Sequence, residues 1–435
     1  MVAMRRVVIT GMGLISPLGN SKEALWESIC AGRSGVREMA LIPPGTLPLP
    51  FAAEAWQFQG KIEDFGPLSK EQSKAIRKGL KVMCRECQMG VAAAQLALHD
   101  AGLDGKTNPV RTGIAFGADH MITLPEDFSS GVLQCVSDGR FDFSRWPTEG
   151  MPKMSPLWLL KYLPNMPASH LAIYNDFRGP NNSLTMREAA ANVAVGEAYQ
   201  AILRDGADVM LAGATGTRLH PIKIIHAMQQ EQVSTADGNP SAACRPFDLR
   251  RTGMVLGEGA AAVVLEEMNS AVARGATIYG EVIASACSAV VGRNMVARRD
   301  QALINVLHAV LRSADVSPDG VGHLHAHGLA THSCDIDESL AIHEVFRRRD
   351  RALPVVAAKS YFGNLGAASG MVELAASLLA VRQGHLFPVL NYETPDPDCP
   401  VAAVRAHDVP AGQTFINLSV TPQGQASALL VRRWD

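Results

Sequence analysis

The sequence predicts an α/β protein in which buried sheets are covered by helices. Short runs with the composition of β-strands alternate along the chain with longer runs of helical pattern. The order of these runs also looks repeated in the two halves of the chain. With 435 residues, 47% hydrophobic and 19% charged, the chain can bury a large core and form two or three domain-sized parts.

The strands and helices can be placed in order along the chain. The first strand lies in "RRVVITGMGLISPLG", a short, glycine-broken apolar run that suits a buried strand and not a signal peptide. The predicted strands are 6–10, 112–116, 183–185, 208–212, 260–265, 277–284, 323–327, 354–357, 414–420 and 428–432. The predicted helices are 22–31, 84–101, 168–176, 188–204, 221–230, 301–314, 335–346 and 366–383.

The repeat predicts two similar halves, residues 1–250 and 251–435. In each half, a sheet-forming segment precedes a long helix rich in alanine and other small residues, at 188–204 and at 366–383. Small residues are expected where helices pack closely between sheets.

Three other segments interrupt the alternation of strands and helices. The polar stretch "STADGNPSAACRPFD", 234–248, predicts a loop between the halves. Segments 51–74 and 119–167 fit no strand–helix rhythm. We predict that both are insertions that cap one end of the fold.

Charge and hydropathy exclude several kinds of partner. The formal net charge is −2 and no block of Lys or Arg occurs, so neither nucleic acid nor an anionic membrane is expected as a partner. Only "AIRKGLK", 75–81, is locally basic; it predicts a solvated helix face or, as the alternative, a small patch that meets an acidic carrier protein. No stretch is long and apolar enough to cross a bilayer, and a cytoplasmic location is expected by default.

The cysteines predict no disulfide framework, no metal site and no cofactor site. The C-x-x-C at Cys84 and Cys87 lies inside a helical pattern, and no second pair at zinc-ligand spacing accompanies it. Two buried helix cysteines are the simpler interpretation. The eight cysteines are scattered through the chain: Cys30, Cys84, Cys87, Cys135, Cys244, Cys287, Cys334 and Cys399.

Three motifs place polar groups at strand ends beside helix N-termini, where α/β folds usually assemble their sites. In "RGPNNSLTMREAAANVAVGEA", a short strand leads through Glu188 into a helix. In "HAHGLATHSCDIDE", an apolar strand ends at His327. In "AAKSYFGNLGAASGMVE", a strand ends at Lys359 and a glycine-rich turn carries Asn364.

The chain resembles the β-ketoacyl-ACP synthases of the thiolase-like superfamily. The resemblance runs from the first strand to the C-terminus. It implies a five-layered αβαβα fold of two pseudo-repeated halves, dimeric assembly, and acyl carrier protein or CoA thioesters as partners. The motifs that carry it, beside the second and third above, are "LPNMPASHLAIYNDFRGPN", "VGEAYQAILRDGADVMLAGAT" and "ACRPFDLRRTGMVLGEGAAAVVLE".

The resemblance implies roles for eight side chains. The family's nucleophilic cysteine falls on Glu188, its first catalytic histidine on His327 and its conserved lysine on Lys359. The second catalytic histidine falls on Asn364. The implied supporting residues are Thr331 beside His327, Glu373 as the partner of Lys359, and the acidic positions Asp335 and Glu338.

Two departures from the family pattern affect the expected chemistry. A carboxylate at Glu188 is a far weaker nucleophile toward a thioester than a cysteine thiolate, so ordinary condensation is not expected. The family's Gly-Phe-Gly-Gly loop, which gates the site and helps form its oxyanion hole, is absent from "NLSVTPQGQASALLV", 417–431. His327 and Asn364 could still direct two donors at one oxygen.

Three functions remain open from the sequence. The first is an unusual acyl-thioester enzyme of fatty acid or polyketide biosynthesis, with Glu188 as a general base. The second is a partner subunit resembling a chain-length factor, which pairs with an active synthase. The third is a silent protein that binds acyl chains or acyl carriers. The strand 183–185 is expected at the edge of a homodimer, or of a heterodimer with an active synthase.

Overall fold

A computed structural model describes residues 5–43, 45–235 and 238–434. Over these residues the main feature is one mixed sheet of eleven strands. The strands are β1 Val7–Ile15, β2 Thr112–Ala118, β3 Asn181–Thr185, β4 Val209–Thr217, β5 Glu258–Glu267, β6 Gly280–Ala289, β7 His323–His325, β8 Pro354–Val356, β9 Ala402–Ala403, β10 Thr414–Val420 and β11 Gln425–Arg432.

The sheet consists of two half-sheets joined at its centre. The strand order is β9-β8-β7-β10-β11-β6-β1-β5-β4-β2-β3, and the antiparallel pair β6–β1 joins the two sides. Outward from this pair, each side runs through antiparallel strands into a group of parallel strands that ends at an edge. Strands within residues 7–267 build one half-sheet and strands within residues 280–432 build a similar one, which agrees with the predicted repeat.

The helices complete a layered architecture. Their bounds are α1 Lys22–Cys30, α2 Lys70–Gly79, α3 Arg85–Asp100, α4 Pro125–Gln134, α5 Met166–Asn175, α6 Ala190–Leu203, α7 Pro221–Gln230, α8 Met268–Ala273, α9 Arg299–Ala314, α10 His332–Phe346, α11 Lys359–Phe362 and α12 Ser369–Gln383. Helices α6 and α12 touch each other and contact both half-sheets, whereas α3 covers one half-sheet from outside and α9 covers the other. The order of layers is helix, sheet, helix, sheet, helix.

The central layer explains the small residues that the sequence repeats. In α12, all residues from Ser369 to Val381 are buried. In α6, alanines and Gly196 face the neighbouring strands, and a Cβ at Gly196 would lie 2.9 Å from Ser285 Oγ. A helix with sheets on both sides has no polar face, and only small side chains allow the approach.

Strand β1 is longer than predicted. The sequence analysis ends it at residue 10, whereas the strand continues through Gly11 and Gly13 to Ile15, with a bulge between Ile9 and Gly11. A Cβ at Gly11 would lie 2.4 Å from the carbonyl oxygen of Ala97 on α3, and one at Gly13 would lie 2.3 Å from that of Ala93. The glycines therefore mark close helix–strand packing rather than the end of the strand.

The segments without a strand–helix rhythm contain short elements. Within 51–74, Phe51–Ala52 pairs with Arg37–Glu38, and the unpredicted helix α2 begins at Lys70. Within 119–167 lie α4 and a hairpin of Val136–Ser137 with Arg140–Phe141. The loop 234–248 is irregular apart from one turn at 240–242, and its residues 236–237 lie outside the described part. The division of the chain at residue 250 stays a prediction.

The two cysteines of the C-x-x-C differ in position. Cys87 lies buried in α3, whereas Cys84 directly precedes the helix, and burial raises the pKa of the Cys84 thiol to about 12. Over residues 5–43, 45–235 and 238–434, no cluster of three or more His, Cys, Asp or Glu side chains is arranged to hold a metal ion. Over the same ranges, none of the helices combines the length and the hydropathy that a bilayer span requires.

Candidate active site

The turn after β3 buries Glu188. Met186 and Arg187 follow the strand, and Arg187 has a left-handed backbone with φ 50°. Residues Arg187–Ala189 then form a single 3₁₀ turn, and α6 begins at Ala190 rather than at Glu188 as predicted. The Glu188 side chain is only 1% exposed, so its charge must be compensated by neighbouring groups.

Arg218 is the main partner of Glu188. It follows the last residue of β4, and its guanidinium Nη2 donates a hydrogen bond to Glu188 Oε1. Asn364 Nδ2 donates to the same oxygen at 3.2 Å. The guanidinium Nε of Arg187 lies 3.4 Å from Glu188 Oε2. One carboxylate therefore faces two arginines and one amide.

These neighbours keep Glu188 ionised. Burial by itself raises the pKa of a carboxyl group, but the charges of Arg218 and Arg187 outweigh burial and lower the pKa of Glu188 to about 2. In the structure the two arginines supply the charge.

The ion pair extends into a chain of alternating charges. Asp119, fully buried after β2, lies 3.8 Å from Arg218 Nη1, and its other carboxylate oxygen accepts from the backbone N–H of His120 at 2.8 Å. On the opposite side, Arg187 Nη2 donates to Glu231 Oε1 at 2.6 Å. Negative and positive groups thus alternate from Asp119 to Glu231.

His327 and Lys359 lie together on the C-terminal half of the site. Lys359 Nζ lies 3.2 Å from His327 Nδ1, 2.7 Å from the His327 carbonyl oxygen and 2.5 Å from Glu373 Oε1. The two carboxylate oxygens of Glu338 accept the backbone N–H groups of His327 and Gly328 at 2.6 and 2.8 Å. Lys359, Glu373 and Glu338 therefore hold the end of β7 and the ring of His327 in place.

The contact with Lys359 fixes the tautomer of His327. An ammonium group only donates, so Nδ1 accepts and the ring proton resides on Nε2. Burial, followed by the charge of Lys359, lowers the pKa of His327 well below its ordinary value, and the ring is neutral. Its Nε2 is buried, and no group of the described residues forms a hydrogen bond with it. The charge of Glu188 acts on this ring in the opposite direction and raises the pKa of His327, but less than burial and Lys359 lower it.

Asn364 is engaged differently from the expected arrangement. Its Nδ2 donates to Glu188, while its Oδ1 accepts from Gly366 N at 3.0 Å and from Ser369 Oγ at 3.2 Å. The amide carries two N–H groups, and Nδ2 donates to Met254 Sδ at 3.5 Å as well as to Glu188, so both are engaged within the protein; the pair of donors from His327 and Asn364 toward one substrate oxygen stays a prediction.

Asp335 and Thr331 belong to the supporting loop. Asp335 Oδ1 accepts from Leu329 N and Ala330 N, both at 3.0 Å, and Oδ2 accepts from Phe247 N at 2.8 Å. Thr331 directly precedes α10, and its carbonyl oxygen accepts from Arg251 Nε at 3.3 Å. Both residues organise the backbone after His327.

His323 and His325 form a hydrogen-bonded row that contacts the backbone directly before Lys359. Ala358 N donates to His325 Nε2 at 3.2 Å, and Ser377 Oγ lies 2.8 Å from His325 Nδ1 and 3.1 Å from His323 Nε2. His323 Nδ1 in turn lies 2.7 Å from the Ala411 carbonyl oxygen. A backbone donor at one end and a backbone acceptor at the other set the direction of every hydrogen bond, so both rings are neutral.

The segment predicted to lack the family's gating loop forms a tight hairpin. β10 and β11 are joined by residues 421–424, where Thr421 N donates to the Gln425 carbonyl oxygen at 2.8 Å. Gln423, in the turn, accepts from Arg187 Nη1 at 3.3 Å. Within β10, Asn417 donates to Asn192 Oδ1 on α6 at 2.8 Å.

Sequence reasoning missed Arg218, Arg187 and Asp119. Arg218 and Asp119 each stand directly after a buried strand, at Thr217 and Ala118, which is the same position that singled out Lys359. The predicted strands, however, end at residues 116 and 212, three and six residues before Asp119 and Arg218, so the sequence prediction marked neither position. Arg187 gives no such signal, because its importance depends on Glu231 and Gln423, 44 and 236 residues away in the chain.

Comparisons with known proteins agree with this architecture. Residues 4–271 match the family model "Beta-ketoacyl synthase, N-terminal domain", and residues 279–393 match "Beta-ketoacyl synthase, C-terminal domain". The 3-oxoacyl-[acyl-carrier-protein] synthase 2 of Coxiella burnetii is 33% identical over 399 residues, which cover 91% of this chain and 90% of that protein. The chain belongs to the β-ketoacyl synthase family.

Two solved structures show the same fold over the whole chain. The ishigamide ketosynthase/chain length factor aligns with a TM-score of 0.83 and 25% identity, covering 100% of both chains. A type II polyketide synthase acyl-carrier protein in complex with its ketosynthase aligns with a TM-score of 0.82 and 25% identity, covering 99% of this chain and 100% of that one. The layered architecture is thus the thiolase-like fold.

Removing the charge of Glu188 is expected to destabilise the protein. A pKa lowered from about 4.5 to about 2 corresponds to about 3 kcal/mol of unfolding free energy, which is present above pH 4.5 and lost as the pH falls toward 2. Glu188→Gln should therefore lower the unfolding free energy at pH 7 by about 3 kcal/mol in urea denaturation. The exposed pair Glu27–Arg33 gives a matched control, since Glu27→Gln should cost less than about 1 kcal/mol. Equal losses in both variants would contradict the importance of the buried pair.

The histidine row predicts a pH-dependent effect of His325→Asn. Burial lowers the pKa of His325 well below its ordinary value of about 6.5, so the unfolded chain takes up a proton below that pH while the folded chain does not. The parent protein should lose about 1.4 kcal/mol from this residue between pH 7.5 and 5.5, and the variant should not. The difference in unfolding free energy between the two proteins should shrink accordingly. His343→Asn, at an exposed position of α10, is the control, and its difference from the parent should stay constant.

Proposed function

We propose that this chain is a non-condensing partner subunit resembling a chain-length factor, in which Glu188 occupies the position of the family's nucleophilic cysteine. It would act in fatty acid or polyketide biosynthesis beside an active synthase and with acyl carrier proteins. The observation that carries the proposal is the buried ion pair of Glu188 with Arg218.

The ion pair argues against covalent catalysis at Glu188. Condensation in this family needs an acyl group held on the nucleophile as a thioester, and a carboxylate would form a mixed anhydride instead. Each oxygen of Glu188 faces a guanidinium group, Oε1 toward Arg218 and Oε2 toward Arg187, and Oε1 also accepts from the neutral amide of Asn364. Electron density held by two guanidinium groups is a poor nucleophile toward a carbonyl carbon.

The same pair argues against general base catalysis. A general base works best when its pKa lies near the operating pH, whereas Arg218 and Arg187 hold the pKa of Glu188 at about 2 against the effect of burial. Protonation of such a carboxylate would also break its charge-assisted hydrogen bond with Arg218. The structure therefore favours the partner subunit over the unusual enzyme.

The sheet edge supports assembly with a second ketosynthase-like chain. β3 is the last strand on its side of the sheet and pairs only with β2 among the described strands. Its residues are exposed or half-buried, so its outer backbone groups lack strand partners in one chain. A similar strand of a partner would complete the ladder. The ishigamide ketosynthase/chain length factor, which has the same fold, is consistent with such a partner.

Helix α2 supports contact with an acidic carrier. Its outer side and the following turn present exposed cations around one surface groove: Lys70, Lys74, Arg77, Lys78 and Lys81. The carrier protein seen with a related ketosynthase gives the class of partner. A carrier with a negative surface would meet complementary charge at this groove.

The purified chain alone is expected to form no condensation product. Incubation with acyl- and malonyl-carrier thioesters should give neither a 3-oxoacyl product nor an acylated Glu188 peptide by mass spectrometry. The 3-oxoacyl-[acyl-carrier-protein] synthase 2 of Coxiella burnetii serves as the positive control in the same assay. A 3-oxoacyl product that disappears in Glu188→Gln would refute the proposal.

Assembly through β3 is expected to bury the edge strand. Light scattering at micromolar protein should report a dimer, or a monomer that becomes a heterodimer when co-purified with an intact synthase. Thr185→Pro removes an outward-facing backbone donor of β3 and should weaken that assembly by at least tenfold in Kd. The control is Ile173→Ser, on the exposed face of α5, which should leave assembly unchanged. Serine is chosen because a proline at this position would disrupt the helix. A stable monomer, both for the chain alone and after co-purification with an intact synthase, would contradict the proposal.

A further inference from the structure

A small cavity at the surface is lined in part by Glu231, the residue that pairs with Arg187. Its volume is about 90 Å³, and it lies between the end of α7, the start of α10 and the β10–β11 hairpin. The residues that line it include Glu231, Gln232, Thr331, Cys334, Val420 and Pro422. Thr331 lies four residues after His327, so the cavity reaches the loop that carries the histidine.

Arg187 lies between this cavity and Glu188. Its Nη2 donates to Glu231, a lining residue, at 2.6 Å, and its Nε lies 3.4 Å from Glu188 Oε2. Its Nη1 donates to Gln423, in the hairpin turn, at 3.3 Å. One side chain therefore ties together the turn before α6, the end of α7 and the hairpin.

We propose that Arg187 is a plug that closes the passage from this cavity to the centre of the site. The proposal deepens the proposed function and rests on it for the position of Glu188: the plug would exclude the acyl-bearing arm of a carrier protein from a site that no longer uses one. The guanidinium occupies the passage, and Glu231 anchors it from the cavity side.

The backbone of Arg187 indicates that its side chain is held in place. A left-handed backbone is uncommon for a long side chain and persists where the surrounding contacts determine it. Here the contacts are the three polar groups of Glu231, Glu188 and Gln423. The side chain is only 16% exposed, so most of it is covered by the surrounding protein.

Thiol labelling measures the passage without any catalytic turnover. Glu188→Cys places a thiol behind the plug, and modification of that residue by N-ethylmaleimide is followed by peptide mass spectrometry. In the background of Glu188→Cys, the further substitution Arg187→Ala should speed labelling at position 188 at least tenfold. Loss of the Arg187 charge would by itself raise the pKa of the new thiol and slow its reaction, so faster labelling reports access.

Two native cysteines and two variants complete the design. Exposed Cys287 gives the intrinsic reagent rate, and Cys334 reports on the cavity mouth. Glu231→Gln with Glu188→Cys releases the anchor of the plug while keeping the arginine, and should also speed labelling, which keeps the test usable if Arg187→Ala does not fold. Arg299→Ala with Glu188→Cys is the matched control, because Arg299 lines the same cavity but pairs with Asp337 at 2.7 Å.

Each outcome decides the proposal. Faster labelling in the Arg187 and Glu231 variants, with the Arg299 variant unchanged, supports it. Rapid labelling of Glu188→Cys alone, equal rates in all folded variants, or the same increase in the Arg299 variant overturns it. Because no condensation is measured, failure of the plug is distinguishable from failure of the proposed function, which the product assay alone decides.

Discussion

The buried pair of Glu188 and Arg218 is the constraint on which the centre of the molecule depends. Both side chains are almost completely withdrawn from water, so each would be costly without the other. The remaining contacts follow from this requirement, because Asn364 adds a donor to the carboxylate and Asp119 adds a negative charge near the guanidinium. A neutral residue at position 188 would leave the buried guanidinium of Arg218 with Asp119 as its one remaining carboxylate neighbour among the described residues.

The polar groups around His327 stabilise the backbone whether or not the site is catalytic. Glu338 and Asp335 accept backbone N–H groups of the loop after β7, and Glu373 pairs with Lys359. Loop residues need such acceptors because a buried backbone N–H without a partner is expensive. These carboxylates therefore contribute to folding whether or not a substrate ever binds. Retention of His327 and Lys359 alone is weak support for an active enzyme.

The site lies where the two halves of the chain meet, and its composition reflects that junction. The N-terminal half contributes Glu188, Arg218 and Asp119, and the C-terminal half contributes the His327–Lys359 pair with Asn364. Helices α6 and α12 begin beside this junction and touch each other in the central layer. Charge on one half is thus balanced partly by groups from the other, and the hydrogen bond between Asn364 and Glu188 crosses the boundary.

The sequence by itself determined the alternating strands and helices, the repeated small-residue helices and the strand-end positions of Glu188, His327 and Lys359. Local periodicity specifies such elements, and the strands that lead to His327 and Lys359, β7 and β8, are parallel neighbours whose ends meet. Only the tertiary structure decided the partners of Glu188, the tautomer of His327 and the continuation of β1 past Gly11. These features depend on groups far apart in the chain, such as Arg187 with Gln423. They also depend on burial, because a buried charge needs a partner of opposite charge and a glycine such as Gly11 is required where a helix packs closely on a strand.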